Sequence, residues 1–240
     1  MPEYAAKLMS QRIIAHETRE FVFEKPTGFD FKPGQFMTLI LPDLDMKVPK
    51  GNRRSMSIAS SPTESNISFG MRMGTSAFKQ RIEKLKPGEA INLMGPFGHF
   101  TMPDDVNQPL VFLAGGIGIT PFLGMIKYSI DTKSPRQLYL LYGNSCISNS
   151  SYLPEIEALT KRSDKLHYLP TMSDLTHLEH EWKGQTGFIN ADLIKKTVPD
   201  HMRPTYMIVG PPGMVEAMVA LLKEMGLPDT QIIIEKFTGY

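Results

Sequence analysis

The chain has 240 residues, of which 41% are hydrophobic and 21% charged, so it folds around a core, and disordered, collagenous and coiled-coil readings are excluded. Its 26 Lys and Arg against 25 Asp and Glu leave a formal charge of +1, so no global field draws it to nucleic acid or an acidic membrane. The halves differ: residues 1–100 hold 14 basic and 10 acidic side chains, and residues 101–240 hold 12 and 15.

The lone cysteine, Cys146, excludes an intrachain disulfide and a four-Cys iron-sulfur or zinc site built from this chain, and it fits a cytoplasmic compartment. Met1 to Ile14 has no apolar stretch of the kind a signal peptide carries. Val106 to Ile126 lacks charge, but Gly115, Gly116, Gly118, Gly124 and Pro121 interrupt it, so it reads as strand, glycine turn and helix rather than a membrane span.

Up to about Met102, short apolar runs broken by turn residues predict strands near 6–14, 18–25, 35–41, 54–59, 67–73 and 90–94. Six strands in this length suit a small antiparallel barrel. Phe78, Ile82 and Leu85 recur at helical spacing, so one helix, over Ser76 to Leu85, interrupts the last two strands. A polar stretch over Thr101 to Gln108 marks the boundary, giving domains 1–102 and 103–240.

Beyond Pro109, buried strands near 110–114, 137–142, 165–169, 205–209 and 231–234 alternate with helical patterns at 121–130, 152–162, 190–197 and 212–225. That rhythm predicts a Rossmann-like parallel sheet covered on both faces, where ligands bind at the carboxyl ends of the strands. The fold class is therefore a β domain followed by an α/β domain.

Two turns then carry chemistry. Gly115-Gly116-Ile117-Gly118-Ile119-Thr120-Pro121 follows a buried strand and opens a helix, the arrangement whose free N–H groups attract phosphate. Pro121 stands where the usual dinucleotide fingerprint has its last glycine. Gly210-Pro211-Pro212-Gly213-Met214 follows another such strand, and two turns at neighbouring strand ends would line one crevice. In the first half, Arg54 is a side chain suited to bidentate phosphate capture, sharing a strand face with Met56, and Gly74-Thr75-Ser76 opens the lone helix.

In order, Phe31-Lys32-Pro33-Gly34-Gln35, Arg54-Ser55-Met56-Ser57, Gly74-Thr75-Ser76, Gly95-Pro96-Phe97-Gly98, Gly115 to Pro121, Gly210-Pro211-Pro212 and Glu235-Lys236-Phe237 together resemble the ferredoxin-NADP reductase superfamily of flavoproteins. The resemblance spans nearly the whole chain. It implies an FAD-binding barrel and a nucleotide domain for NAD(P)H, with the flavin at their junction. Arg54 would clamp the FAD diphosphate, with Ser55, Met56 and Met71 among the flavin contacts. Ser57 would hydrogen-bond near flavin N5, and Gly74, Thr75 and Ser76 would bind phosphate. Gly115, Gly116, Gly118, Thr120 and Pro121 would hold NAD(P)H, together with Asn144, Ser145, Gly210, Pro211, Pro212 and Met214. Glu235 would sit near the flavin edge, Phe237 would cover the ring until nicotinamide displaces it, and Tyr240 could contact the flavin or its adenine.

The departures from the family carry expectations too. Met56 replaces a flavin-stacking Tyr, and Val209 replaces a Cys close to the nicotinamide. Ser145 and Asp174 stand where NADPH-preferring members place Arg, which leans the reading toward NADH unless Lys133, Lys161 or Arg162 substitutes in space. Electrons would leave to a separate carrier such as ferredoxin or flavodoxin, met by Lys47, Lys50, Arg53, Arg72, Lys79, Arg81, Lys84 and Lys86. Two alternatives stay open: a flavoprotein subunit of a larger complex with little activity alone, and a nucleotide module that has lost FAD. His177 and His180 lack metal-ligand spacing, so no metal is expected.

Overall fold

The computed structural model describes residues 2–44, 51–174 and 182–237. Its first part is an antiparallel sheet of β1 (Glu3–Ala15), β2 (Thr18–Glu24), β3 (Phe36–Ile40), β4 (Arg53–Ser57), β5 (Asn66–Arg72) and β6 (Ala90–Phe97), in the order β4-β3-β6-β1-β2-β5. Helix α1 (Ala77–Glu83) lies between β5 and β6 and buries Phe78 and Ile82, as their spacing predicts. Alternation along β2 turns Phe21 and Phe23 inward, where they stack on Phe69 at centroid separations of 5.4 and 5.8 Å. Each such ring stabilises the barrel by roughly 1.5–3 kcal/mol through burial.

The ends of this curled sheet, β4 and β5, meet over only part of their length. Past β4 the Ala59 N–H donates to the Ser68 carbonyl at 2.8 Å, and the Ser68 N–H donates to Ser60 Oγ at 3.0 Å. That hand-over explains why β4 stops at Ser57 rather than at 59. Among the described residues, β4 from Arg53 to Ser57 is laddered to β3 alone, and β5 beyond Ser68 is laddered to β2 alone, so two strand edges face an open seam.

The second part is a parallel sheet of β7 (Leu110–Gly115), β8 (Leu138–Asn144), β9 (Leu166–Met172), β10 (Gln185–Thr186), β11 (Thr205–Gly210) and β12 (Ile232–Lys236), in the order β10-β9-β8-β7-β11-β12. Helices α2 (Ile119–Asp131), α3 (Leu153–Arg162), α4 (Ala191–Thr197) and α5 (Pro212–Glu224) follow the predicted patterns. Every residue of β7 and β11 is buried, as covered strands require. Leu110, Phe112 and Ala114 enter one core and Val111 and Leu113 the other, so the sheet is a wall between two apolar layers. The strand order reverses at β7, which puts a crevice at its carboxyl end. The strands outrun the sequence reading at their carboxyl ends, β8 to Asn144, β9 to Met172 and β12 to Lys236, and β10 is too short to leave a periodic signal.

The two parts pack directly. A Cβ on Gly124 of α2 would lie 2.8 Å from the Ser60 carbonyl oxygen, so helix and barrel touch backbone to backbone there. On the opposite side Arg12 of β1 holds Glu20 of β2 at 2.7 Å and also pairs with Glu155 of α3. Glu20 is consequently only 5% exposed, although alternation along β2 reads it as a solvent-facing residue.

Candidate functional site

Two cavities adjoin at the junction. The smaller, about 330 Å³, runs along the open seam and is walled by Arg54, Ser55, Met56 and Ser57 of β4 and by Gly70, Met71 and Arg72 of β5. Phe36, Lys79, Thr120, Glu235, Lys236 and Phe237 complete it. The larger, about 880 Å³, lies at the carboxyl ends of the parallel strands. Arg72 and Phe237 line both. Phe237 is held there by its N–H, which donates to the Gly210 carbonyl at 3.1 Å.

The smaller cavity fits an anionic, planar group. Arg54, Arg72 and Lys79 crowd one end, and burial, with the charges of Arg54 and Arg72, pushes the Lys79 ammonium below its ordinary range. The Arg54 guanidinium sits 5.0 Å from the centre of the Phe78 ring, which fixes its direction. A bound diphosphate would relieve this concentration of positive charge. Also on its wall, Glu235 Oε2 is buried with no hydrogen-bond partner among the described residues, and burial pushes its carboxyl up to about 7. The edges of β4 and β5 that border the seam can supply backbone groups to a ring lying between them. These features suit a flavin dinucleotide, with the diphosphate at the cationic end.

The larger cavity is walled mainly by backbone. Gly115, Gly116, Ile117 and Gly118 form one side, Gly210, Pro211, Pro212 and Gly213 another, and Gly143, Asn144 and Ser145 a third. Gly116 has φ +53, a left-handed conformation that favours glycine. Gly118 serves packing as well, because a Cβ there would come 2.5 Å from the Val209 carbonyl oxygen. Met214 Sδ lies over the turns, 2.2 Å from where a Gly115 Cβ would be. Asn144 is 7% exposed at the cavity wall, with its side chain beside the Tyr142 hydroxyl, so a polar group stands where a ligand would enter.

Several predicted residues lie elsewhere. Thr120 faces the smaller cavity, its hydroxyl donating to the Ile117 carbonyl at 2.7 Å, because the start of α2 at Ile119 rotates it away from the glycine turn. Pro121 is buried in α2 and lines neither cavity. Gly74, Thr75 and Ser76 also line neither, and Ser76 Oγ is used as the cap of α1, accepting from the Lys79 N–H at 3.4 Å. Val209 is buried in the core. None of Lys133, Lys161 and Arg162 lines the larger cavity, and Arg162 pairs with Asp131 at 3.1 Å. Arg81 is engaged by Asp43 at 2.5 Å and by Glu89 at 3.3 Å, which removes it from any free basic face. Tyr240, Lys47, Lys50, His177 and His180 lie outside the described residues. Among the described residues, no group of three or more His, Cys, Asp and Glu could hold a metal, and no helix is long and apolar enough to cross a membrane.

Sequence reasoning missed the barrel's share of the larger cavity, His16, Thr18 and Arg72. Thr18 and Arg72 pair across β2 and β5, a register no local pattern reveals. It also missed Phe188, 79% exposed at the cavity wall after the two-residue β10.

Residues 5–102 match the family model of the oxidoreductase FAD-binding domain, and residues 112–220 that of the oxidoreductase NAD-binding domain. The chain is 30% identical over 211 residues to the anthranilate 1,2-dioxygenase electron transfer component of Acinetobacter baylyi, covering 87% of this chain and 58% of that protein's length. It is 29% identical over 251 residues to ferredoxin-NADP reductase B of Sorangium cellulosum, covering 98% and 97%. Among solved structures, the cytochrome P450 reductase of Amycolatopsis superposes with a TM-score of 0.83 at 24% identity, covering 99% of this chain and 70% of that one. The ferredoxin NADP+ reductase of Neisseria gonorrhoeae does so with a TM-score of 0.78 at 20% identity, covering 98% and 99%. These two similarities are similarities of fold.

Proposed function

The chain belongs to the ferredoxin-NADP reductase superfamily, and from that premise we propose that it is an FAD-dependent NAD(P)H oxidoreductase that passes electrons to a separate carrier. The observation that carries this reading is the shared wall: a seam cavity suited to a flavin meets a strand-end cavity suited to a nicotinamide dinucleotide at Phe237. FAD, when bound, supplies a ring that accepts a hydride from NAD(P)H and gives up electrons one at a time.

The chain's own residues bind, orient and exclude. Arg54, with Lys79 and Arg72 adding to the field, holds the FAD diphosphate. Ser57 and the strand edges that border the seam hydrogen-bond the ring system, while Met56, Met71 and Phe36 keep water from it. Glu235, its carboxyl raised by burial, can hold a proton at the wall where the ring edge would lie. Phe237 covers the junction until the nicotinamide takes its place. The glycine walls, Asn144 and Met214 align the second dinucleotide, so that the two reacting rings meet without a diffusional search.

We assign NADH as the preferred donor. Ser145 lines the cavity and brings no cation, and the Asp174 N–H donates to the Ser145 carbonyl at 2.9 Å, which ties the end of β9 to that of β8. A 2′-phosphate there would lack the Arg–phosphate hydrogen bonds worth about 1.5–3 kcal/mol each. Exposed Arg53, Arg72, Lys84 and Lys86 offer basic groups to an acidic carrier such as ferredoxin or flavodoxin, in a cytoplasmic setting.

A second reading, a flavoprotein component of a larger oxidoreductase assembly, is favoured by the Acinetobacter relative, of whose length this chain spans 58%. Anaerobic titration of the FAD-loaded protein with NADH and NADPH in parallel tests both. Flavin bleaching by NADH at lower concentration than by NADPH is expected, and faster reduction by NADPH would overturn the donor assignment. Bleaching by neither would leave the component reading in place of the enzyme.

A further inference from the structure

The phenol of Tyr142 on β8 is wholly buried with the Asn144 side chain beside its hydroxyl, and that hydroxyl reaches two carbonyls that belong to the wall of the larger cavity: Gly116 at 2.9 Å and Ser151 at 3.2 Å. The Gly116 carbonyl also accepts the Ile119 N–H as the chain turns into α2, so its direction is held from two sides. Gly116 itself adopts φ +53 with nothing within 4 Å of the place where a Cβ would be, so the contact that holds it is made through its carbonyl. In a trans peptide the carbonyl and the following N–H point in opposite directions. Anchoring the Gly116 carbonyl inward therefore turns the Ile117 N–H away from Tyr142.

We propose that Tyr142 is a positioning residue for the nicotinamide dinucleotide: its hydroxyl fixes the Gly116–Ile117 peptide so that the turn presents N–H groups to the diphosphate. The inference rests on the dinucleotide reading of the larger cavity. It differs from an ordinary buried phenol satisfying itself in the core. Tyr206 of β11 supplies that contrast within the same sheet: it is equally buried, and its hydroxyl donates to the His201 carbonyl at 2.8 Å, away from both cavity walls. Burial pushes both phenols well up, so both remain donors across the pH range of any assay.

The test compares Tyr142→Phe with Tyr206→Phe in the FAD-loaded protein, using ADP-ribose as the probe. Each variant loses one buried hydroxyl, so Tyr206→Phe supplies the baseline for a purely structural loss against which Tyr142→Phe is read. Tyr142→Phe is expected to weaken ADP-ribose binding about three- to tenfold, the free energy of one hydrogen bond expressed as affinity. The KM for NADH rises by the same factor, while kcat and FAD affinity stay within about twofold. Tyr206→Phe leaves ADP-ribose affinity unchanged. Independently of any ligand, amide hydrogen exchange at Ile117 and Gly118 accelerates in Tyr142→Phe and not in Tyr206→Phe. Should the unsubstituted chain fail to bind ADP-ribose, the dinucleotide reading falls, and the exchange rates still decide the role of Tyr142. Equal exchange at the turn in both variants, or equal ADP-ribose affinity, overturns the proposal.

Discussion

The seam cavity and the strand-end cavity solve the same problem with different materials. Along the seam, side chains do the work: Arg54, Lys79 and Arg72 supply charge, and Met56, Met71 and Phe36 supply apolar cover. At the strand ends the backbone does it, with glycines on two turns and few charged groups. A site made of side chains is damaged by deleting them, and a site made of backbone is damaged by adding a Cβ. The two therefore respond to opposite kinds of substitution.

The largest effect is expected from Gly118→Val. Its Cβ would collide with the Val209 backbone, at 2.5 Å from the carbonyl oxygen and 2.8 Å from the carbonyl carbon, and backbone cannot rotate aside. We expect a loss of about 3 kcal/mol in unfolding free energy, read by denaturant titration, and loss of NADH binding with FAD still bound. Arg54→Ala inverts that pattern. FAD affinity, read by equilibrium dialysis, falls by about ten- to a hundredfold, from the ~1.5–3 kcal/mol of a charge-assisted contact, while ADP-ribose affinity holds.

Glu235→Gln is next in size and reports through pH. The Glu235 carboxyl titrates at about 7 in the fold against an ordinary 4.5. A carboxyl raised in the folded state is no burden below its unfolded pKa, and it penalises the fold progressively as pH rises through the folded one. In the flavin-free chain, Glu235→Gln should leave stability unchanged near pH 4 and raise it by about 1–3 kcal/mol at pH 8. An equal effect at both pH values would refute the burial argument. The smallest effect belongs to Met56→Tyr: a stacked aromatic adds ~0.5–1.5 kcal/mol, so FAD should bind about two- to tenfold more tightly by the same dialysis.

Much of this arrangement was legible because local chemistry announces itself. The alternation around Phe21 and Phe23, the glycine turns after β7 and β11, and Arg54 beside Ser57 all follow from residue type and spacing. What stayed hidden depends on distant pairing. The seam exists because β4 and β5 end a sheet whose order is not the chain order, and no window of sequence contains both edges. Glu20 is enclosed by Arg12 of β1 and Glu155 of α3, the second brought from a distant part of the chain. Thr120 reads as part of the glycine turn, but one step into α2 turns it to the other cavity. Gly118 reads as a phosphate cradle, yet much of its necessity comes from the Val209 carbonyl behind it.

The central claim is that the two cavities share a wall at Phe237 close enough for direct hydride transfer. Single-turnover reduction of the FAD-loaded protein by NADH deuterated at one or the other prochiral C4 position tests it most directly. One label should slow flavin bleaching with a primary isotope effect and the other should not, because a fixed cavity presents one face of the nicotinamide. Bleaching at equal rates with unlabelled NADH and with both labelled forms would contradict the account.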